Sequence, residues 1–306
     1  MTTTSEALPL GTPIARTRRR PRAGKYYLLI APSLLLSAIV VLIPGILTAV
    51  AAFTNWNGIS LHANWVGFGN FRAIFSDPVF RTALGDNLKW AGLFLTVPVG
   101  LGLGTSLLLL RRPRTRTLYQ VLFLVPYVLA PVTNAILWLN IIYDPVAGLW
   151  AWLQGHGLVG QVPLGSTHWV LLAVATVDMW HFWGFLMVVY LAALRQTPPE
   201  QIEAARVEGA STRQLFRHVY LPNIMPTLML MFVMEAIFSF LSFDYIHLMT
   251  GGGPAHASEV LSTYAYTFAF SEYEFGMAAA VSLVMSFFGL LMGAVYAVLS
   301  RREMAS

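Results

Sequence analysis

Six long apolar runs alternate with short polar segments along the chain: Tyr26–Phe53, Leu88–Leu110, Leu118–Ile142, Trp169–Ala193, Ile224–Met249 and Met277–Leu299. Each is long enough for an α-helix to cross a hydrocarbon layer, which takes about 20 residues. A chain that must satisfy its own backbone inside lipid has helices or a closed barrel to choose from, and runs of this length choose helices. The pattern predicts an all-α integral membrane fold of six transmembrane helices, with a polar tail over 1–25 and a membrane domain over 26–302. One polar segment stands apart: residues 195–222, between the fourth and fifth runs, form an island inside an otherwise apolar second half.

Local chemistry specifies the island. Thr197 is placed to cap a helix with Pro198 at its first position and Glu200 three residues on. Glu203 to Glu208 continue that helix, and Gly209 supplies its left-handed stop. Ser211 and Gln214 repeat the capping box. They start a second short helix, Leu215 to Val219, expected to end near Pro222 because a residue before proline avoids α geometry. Helix, glycine turn and helix with four arginines is open to three readings: a DNA-binding unit, a plain polar loop, or a docking element for a partner protein.

Composition narrows these. Apolar residues make up 57% of the 306 and charged residues 11%, which disfavours a soluble nucleic-acid-binding domain. Glu200, Glu203 and Glu208 would also face phosphate. The net charge of +5 bears first on topology. With the N-terminus inside, sixteen of the nineteen Lys and Arg residues fall on the inner side, in the tail, at Arg111–Arg116, in the island and at Arg301 and Arg302. Arg72, Arg81 and Lys89 remain outside, and both termini and the island are expected in the cytoplasm. The basic tail suits anionic membrane lipid. A signal peptide ending near Ala49-Val50-Ala51 competes for the first run, but that run exceeds the roughly 7–15 residues of such a core and more spans follow. Trp56, Trp65 and Trp90 are read as interfacial anchors. Gly100 with Gly104, and Gly289 with Gly293, are read as points of close helix approach. Pro44, Pro98, Pro126 and Pro131 are read as tolerable kinks.

Charge inside a bilayer is costly, so buried acids mark candidate sites. Asp178, Glu235 and Asp244 qualify. On the fourth run Asp178 shares a helical face with Phe182 and Phe185; on the fifth, Glu235 shares one with Phe238, Ser239 and Ser242. These two helices enter and leave the island. Aromatic rings, hydroxyls and a carboxylate suit a polyhydroxylated ligand, although each ring alone is read more readily as helix packing and each serine is open to bonding its own helix; the coincidence on paired helices carries the reading. No span interior carries Lys or Arg, which weighs against an anionic substrate. The chain has no cysteine, and no P-loop, metalloprotease or nucleophile-elbow motif. No catalytic residue, metal site or cofactor is assigned to it, so a nucleotide that powers it is bound by another polypeptide.

Glu203-Ala204-Ala205, three residues, Gly209, nine residues, then Val219-Tyr220-Leu221-Pro222 resembles the EAA loop of membrane subunits of binding-protein-dependent ABC importers, with Val219 where isoleucine is usual. YLLIAPSLLL, VGFGNFRAIFSDPVF, FLVPYVLAP and MTGGGPAHASEVLSTYAYTFAF extend the likeness to the carbohydrate branch, which includes maltose and glycerol-phosphate permeases. The resemblance implies a permease subunit of a bacterial cytoplasmic membrane importer, without enzymatic activity of its own. Its implied partners are a second homologous permease, a dimeric ATP-binding subunit holding ATP and Mg, and an extracytoplasmic solute-binding protein. It also implies that Glu203, Ala204, Ala205, Gly209, Leu221 and Pro222 couple to the ATPase. Sugar-holding positions of the maltose importer, counted outward from the loop, fall on Asp178, Phe182, Phe185, Glu235, Phe238, Ser239 and Ser242. Their residue types differ from the maltose set and point to another sugar. Glycerol phosphate or another small solute is the alternative cargo, and a proton-coupled carrier using the three acids is the alternative mechanism.

Overall fold

The computed structural model describes residues 23–60, 62–112 and 114–303. The expected basic tail lies outside the described residues up to residue 22, as do the side chains of Arg301 and Arg302. Contacts divide the chain into two units, residues 1–47 and 48–306. The first contains α1 (Ala23–Ser37), a π-helical turn at Ala38–Leu42 and the start of α2 (Ile43–Ala51). The second contains α3 (Gly69–Ser76), α4 (Pro78–Leu110), α5 (Arg116–Val128), α6 (Pro131–Leu137), α7 (Leu149–Gly155), α8 (Val170–Arg195), α9 (Pro199–Val207), α10 (Thr212–Leu215), α11 (Leu221–Leu241), α12 (Asp244–Met249), α13 (Leu261–Tyr266) and α14 (Phe275–Glu303). Among the described residues extended pairing is limited to one isolated bridge, Thr54 with Trp65. Among the described residues five helices are long and apolar enough to cross a membrane, or six if a bent pair is one span.

The second span begins ten residues before the expected Leu88, at Pro78. Asp77 caps it, its carboxylate accepting from the Val79 amide at 2.8 Å, and Pro78 occupies a position where no amide is needed. Asp86, which precedes the expected Leu88–Leu110 run, therefore lies inside a membrane-length helix, 2% exposed and paired with Lys89 at 2.8 Å. Pro98 stays within an unbroken α4.

The third span is not one helix. α5 and α6 meet at 96° because Leu129 and Ala130 are extended (ψ 139° and 141°). Pro131 forces this, since its ring excludes α geometry from the residue before it. A residue read as a tolerable kink is thus a corner, whereas Pro126 is absorbed inside α5.

The fifth span departs from expectation at both ends. It does not restart after Pro222. α10 passes through a π-helical turn at Phe216–Tyr220 into α11, and the Leu221 amide reaches back five residues to the Phe216 carbonyl. That wider turn admits the proline with its missing donor. At the far end Ser242 (ψ 124°) and Phe243 (φ −138°) leave helical geometry, so Ile224–Met249 is split into α11 and α12.

α4 packs most extensively on α8, which also packs on α5. The close approaches use Gly102 and Gly184, not the expected pairs. A Cβ on Gly184 would lie 1.8 Å from the Phe123 carbonyl oxygen, and one on Gly102 2.8 Å from Leu186. Nothing lies within 4 Å of a Cβ built on Gly100, Gly104, Gly289 or Gly293. Buried Asn87 locks three segments together: its amide donates to the Ser239 carbonyl at 3.1 Å and its oxygen accepts from the Leu261 amide at 2.7 Å. In the same way Asn134 of α6 donates to the Tyr245 hydroxyl of α12 at 2.8 Å. Both satisfy backbone or hydroxyl groups that a broken helix leaves free.

Candidate functional site

α8 and α11 face each other across a cavity of about 260 Å³, bounded also by α4, α5 and α12. Asp178 and Phe182 reach it from α8; Glu235, Phe238 and Ser239 reach it from α11, and Ser242 from the break that follows. Six of the seven residues expected to hold a ligand are thereby brought together. Phe185 is the exception. It stacks on Tyr127 at 4.8 Å within an apolar cluster around Leu186, Tyr190 and Met231, because seven residues along a straight helix leave it above the cavity wall.

The polar groups differ in how well they are satisfied. Ser239 is 1% exposed and its hydroxyl donates to the Ala236 carbonyl at 2.8 Å, the packing alternative left open for it. The Ser242 hydroxyl donates to Asp178 Oδ2 over a long 3.5 Å. His181 Nδ1 stands 4.0 Å from Asp178 Oδ1, and its Nε2 has no partner among the described residues. Glu235 is 1% exposed and its Oε2 has no hydrogen-bond partner among the described residues. An acid in that state is what ligand chemistry would act on.

Trp90, Phe94, Tyr127, Phe243 and Tyr245 also line the cavity and were not expected there. Trp90, read as an interfacial anchor, is fully buried, stacks on Phe94 at 5.5 Å and has an unpartnered indole N–H. Tyr127 and Tyr245 close the wall from α5 and α12, on either side of the His181 ring. The early start of α4, which lowers Trp90 into the interior, was the sequence signal available for it.

A larger recess of about 830 Å³ opens between Trp138, Tyr143, Trp150 and Trp169. No acid or base lines it except Tyr143, whose hydroxyl donates to the Ala173 carbonyl at 3.2 Å and whose pKa burial pushes up to about 12. Size favours this recess. The unsatisfied polar groups favour the smaller cavity, and ligand sites are defined by a few convergent polar groups.

The island lies at the opposite ends of the same two helices. α9 is capped by Pro198 with Pro199 at its first position, one residue later than expected; Thr197 is buried with its hydroxyl unpartnered. Gly209 has φ +81° and ends α9 as expected. The Ser211–Gln214 capping box is formed. α9 buries no residue, Glu203 and Ala204 are exposed, and Val207 is 89% exposed. Asn223 at the start of α11 donates to Gln201 of α9 at 2.8 Å, so a bare helix is tied to the base of a long one. Leu221 is half-buried and Pro222 exposed in that base.

A bundle of membrane-length helices around a small polar cavity, with an exposed helical elbow on the two that line it, defines a membrane transport component. Residues 96–304 match the family described as the inner membrane component of binding-protein-dependent transport systems, and the chain belongs to that family. A probable ABC transporter permease of Pyrococcus horikoshii is 29% identical over 90% of this chain and 94% of its own length. A multiple sugar-binding transport system permease of Streptococcus mutans is 27% identical over 84% and 88%. An sn-glycerol-3-phosphate transport system permease of Agrobacterium fabrum is 28% identical over 85% and 88%. In fold the chain resembles a subunit of a bacterial alginate ABC transporter solved with a periplasmic protein bound to alginate pentasaccharide, with TM-score 0.80, 24% identity, and coverage of 92% and 95%.

Proposed function

We propose that this subunit passes a sugar through the cytoplasmic membrane, receiving it from an extracytoplasmic binding protein and driven by a separate ATPase that grips α9. The observation that carries the reading is the placement of the cavity and the elbow on one pair of helices: α8 and α11 line the first and lead directly into the second. Any displacement of α9 is transmitted to the cavity wall, because Asn223 bonds α9 to α11 and the π-helical turn carries α10 into α11 without a break.

In this scheme ATP and Mg belong to the partner ATPase. A second permease completes the pathway. Glu203, Ala204, Ala205 and Gly209 form the contact with the ATPase, while Leu221 and Pro222 anchor it. The excess of inner-side Lys and Arg supports a cytoplasmic island and cytoplasmic termini. Sugar is supported by the cavity's rings and polar groups and by the name of the Streptococcus relative. The Agrobacterium relative supports glycerol phosphate instead, but among the described residues no Lys or Arg lines the cavity to receive a phosphate.

The test is uptake of a labelled sugar panel by cells or liposomes holding the complete transporter. ATP-dependent uptake that is insensitive to a proton ionophore is expected. Uptake that survives ATP depletion and collapses with the ionophore would overturn the reading in favour of a secondary carrier.

A further inference from the structure

The cavity that would take the sugar has a strongly one-sided charge. Asp178, Glu235 and Asp244 all line its wall, and no Lys or Arg does so among the described residues. Glu235 is 1% exposed and its Oε2 accepts from no donor among the described residues. Of the hydroxyls beside it, that of Ser239 turns to Ala236 and that of Ser242 sits 3.5 Å from Asp178, while the Trp90 indole N–H in the same cavity is itself unpartnered among the described residues. A buried carboxylate without a counter-charge is a costly arrangement that persists where function needs it.

A neutral sugar would bring hydroxyl donors but no charge. The remaining wall is largely aromatic, with Trp90, Phe94, Tyr127, Phe182, Phe238 and Tyr245 among its residues, and each such ring carries electron-rich faces. Such faces attract cations through the ring quadrupole as well as stacking on the C–H face of a sugar. Acids and aromatic rings together form the chemistry that holds an ammonium group.

We propose that the cavity selects a sugar bearing a protonated amine, with the ammonium at Glu235 and Asp178 and the sugar ring against the aromatic wall. This rests on the sugar-permease reading and narrows it to a substrate class. A volume of about 260 Å³ accommodates one aminated sugar unit at a time.

The experiment uses the assembled transporter in lipid nanodiscs without the binding protein. Binding of glucosamine, N-acetylglucosamine and glucose is followed through tryptophan fluorescence, since Trp90 lines the cavity. Glucosamine is expected to bind about tenfold or more tighter than the other two, as a charge-assisted hydrogen bond implies. Glu235→Gln, nearly the same shape, is expected to erase that preference while the subunit still assembles with its ATPase. Equal binding of the three sugars, or a preference for glucosamine that survives Glu235→Gln, would overturn the proposal. Assembly without Glu235→Gln binding any sugar would be checked with Asp178→Asn, and retention of the amine preference there as well as no loss specific to glucosamine would count against it. ATP-driven uptake of the neutral sugars alone by the same transporter would overturn the amine selectivity and leave the sugar-permease reading intact. Absence of ATP-driven uptake of any sugar would overturn both.

Discussion

The elbow and the cavity are built from the same two helices and obey opposite rules. The elbow keeps α9 bare: none of its residues is buried, and an apolar Val207 faces outward at 89% exposure. The cavity encloses its chemistry and leaves Glu235 1% exposed without a partner for Oε2. An exposed helix keeps its polar groups in water and loses little by meeting a partner. A buried acid without a partner is unstable alone and gains most from meeting a ligand. The contrast supports the proposed protein-facing role of one region and the proposed solute-facing role of the other.

The largest expected effect breaks the first region. Gly209→Pro cannot adopt φ +81° and would destroy the turn. It is expected to abolish uptake and release the ATPase while the subunit still inserts in the membrane, as is Glu203→Lys. Normal uptake in either variant, measured beside co-purification of the ATPase, would remove the coupling role.

Asp178→Ala is expected to have the converse signature, with transport reduced at least about tenfold by loss of one charged contact and ATPase association unchanged. Transport kinetics equal to wild type would reduce the acid to packing. At the cavity end of α11 stands Asn87, which binds the end of α11 to the start of α13. Asn87→Leu leaves two backbone groups unpaired and is expected to cost roughly 1–3 kcal/mol, read as a lower melting temperature in detergent. An unchanged melting temperature would show that α11 and α13 are held by apolar contacts alone.

Smallest is a change remote from both regions. The Tyr264 hydroxyl donates to the Asp77 carboxylate at the cap of α4. Burial and that carboxylate raise its pKa above the ordinary 10.0. A tyrosine with a raised folded-state pKa contributes stability that is present below pH 10 and is lost as pH rises beyond it. Tyr264→Phe is expected to lower stability slightly at neutral pH and to flatten the decline above pH 10. A decline equally steep in the variant would assign it to other groups.

The comparison also explains which parts were legible in advance. Apolar length, the Ser211–Gln214 box and Gly209 act within a few residues of themselves, so the spans, the second cap and the turn follow from the sequence read locally. The faces of Asp178 and Glu235 follow from helical periodicity, which places residues on one side of a cylinder. Periodicity does not say what stands opposite. Phe185 shares the face of Asp178 yet packs on Tyr127, and a Cβ on Gly100 or Gly104 would have nothing within 4 Å among the described residues, while Gly102 and Gly184 carry close contacts.

The sequence by itself determined a helical membrane protein, its family motif, the elbow and two acid-bearing helix faces, because these depend on hydrophobic length and on chemistry between near neighbours. Only the tertiary structure decided that Pro131 turns a corner while Pro222 is passed through, that Trp90, Tyr127 and Tyr245 complete the cavity, and that Glu235 finds no partner in it. Those outcomes depend on which side chains from distant segments meet, and that is set by packing across the whole bundle.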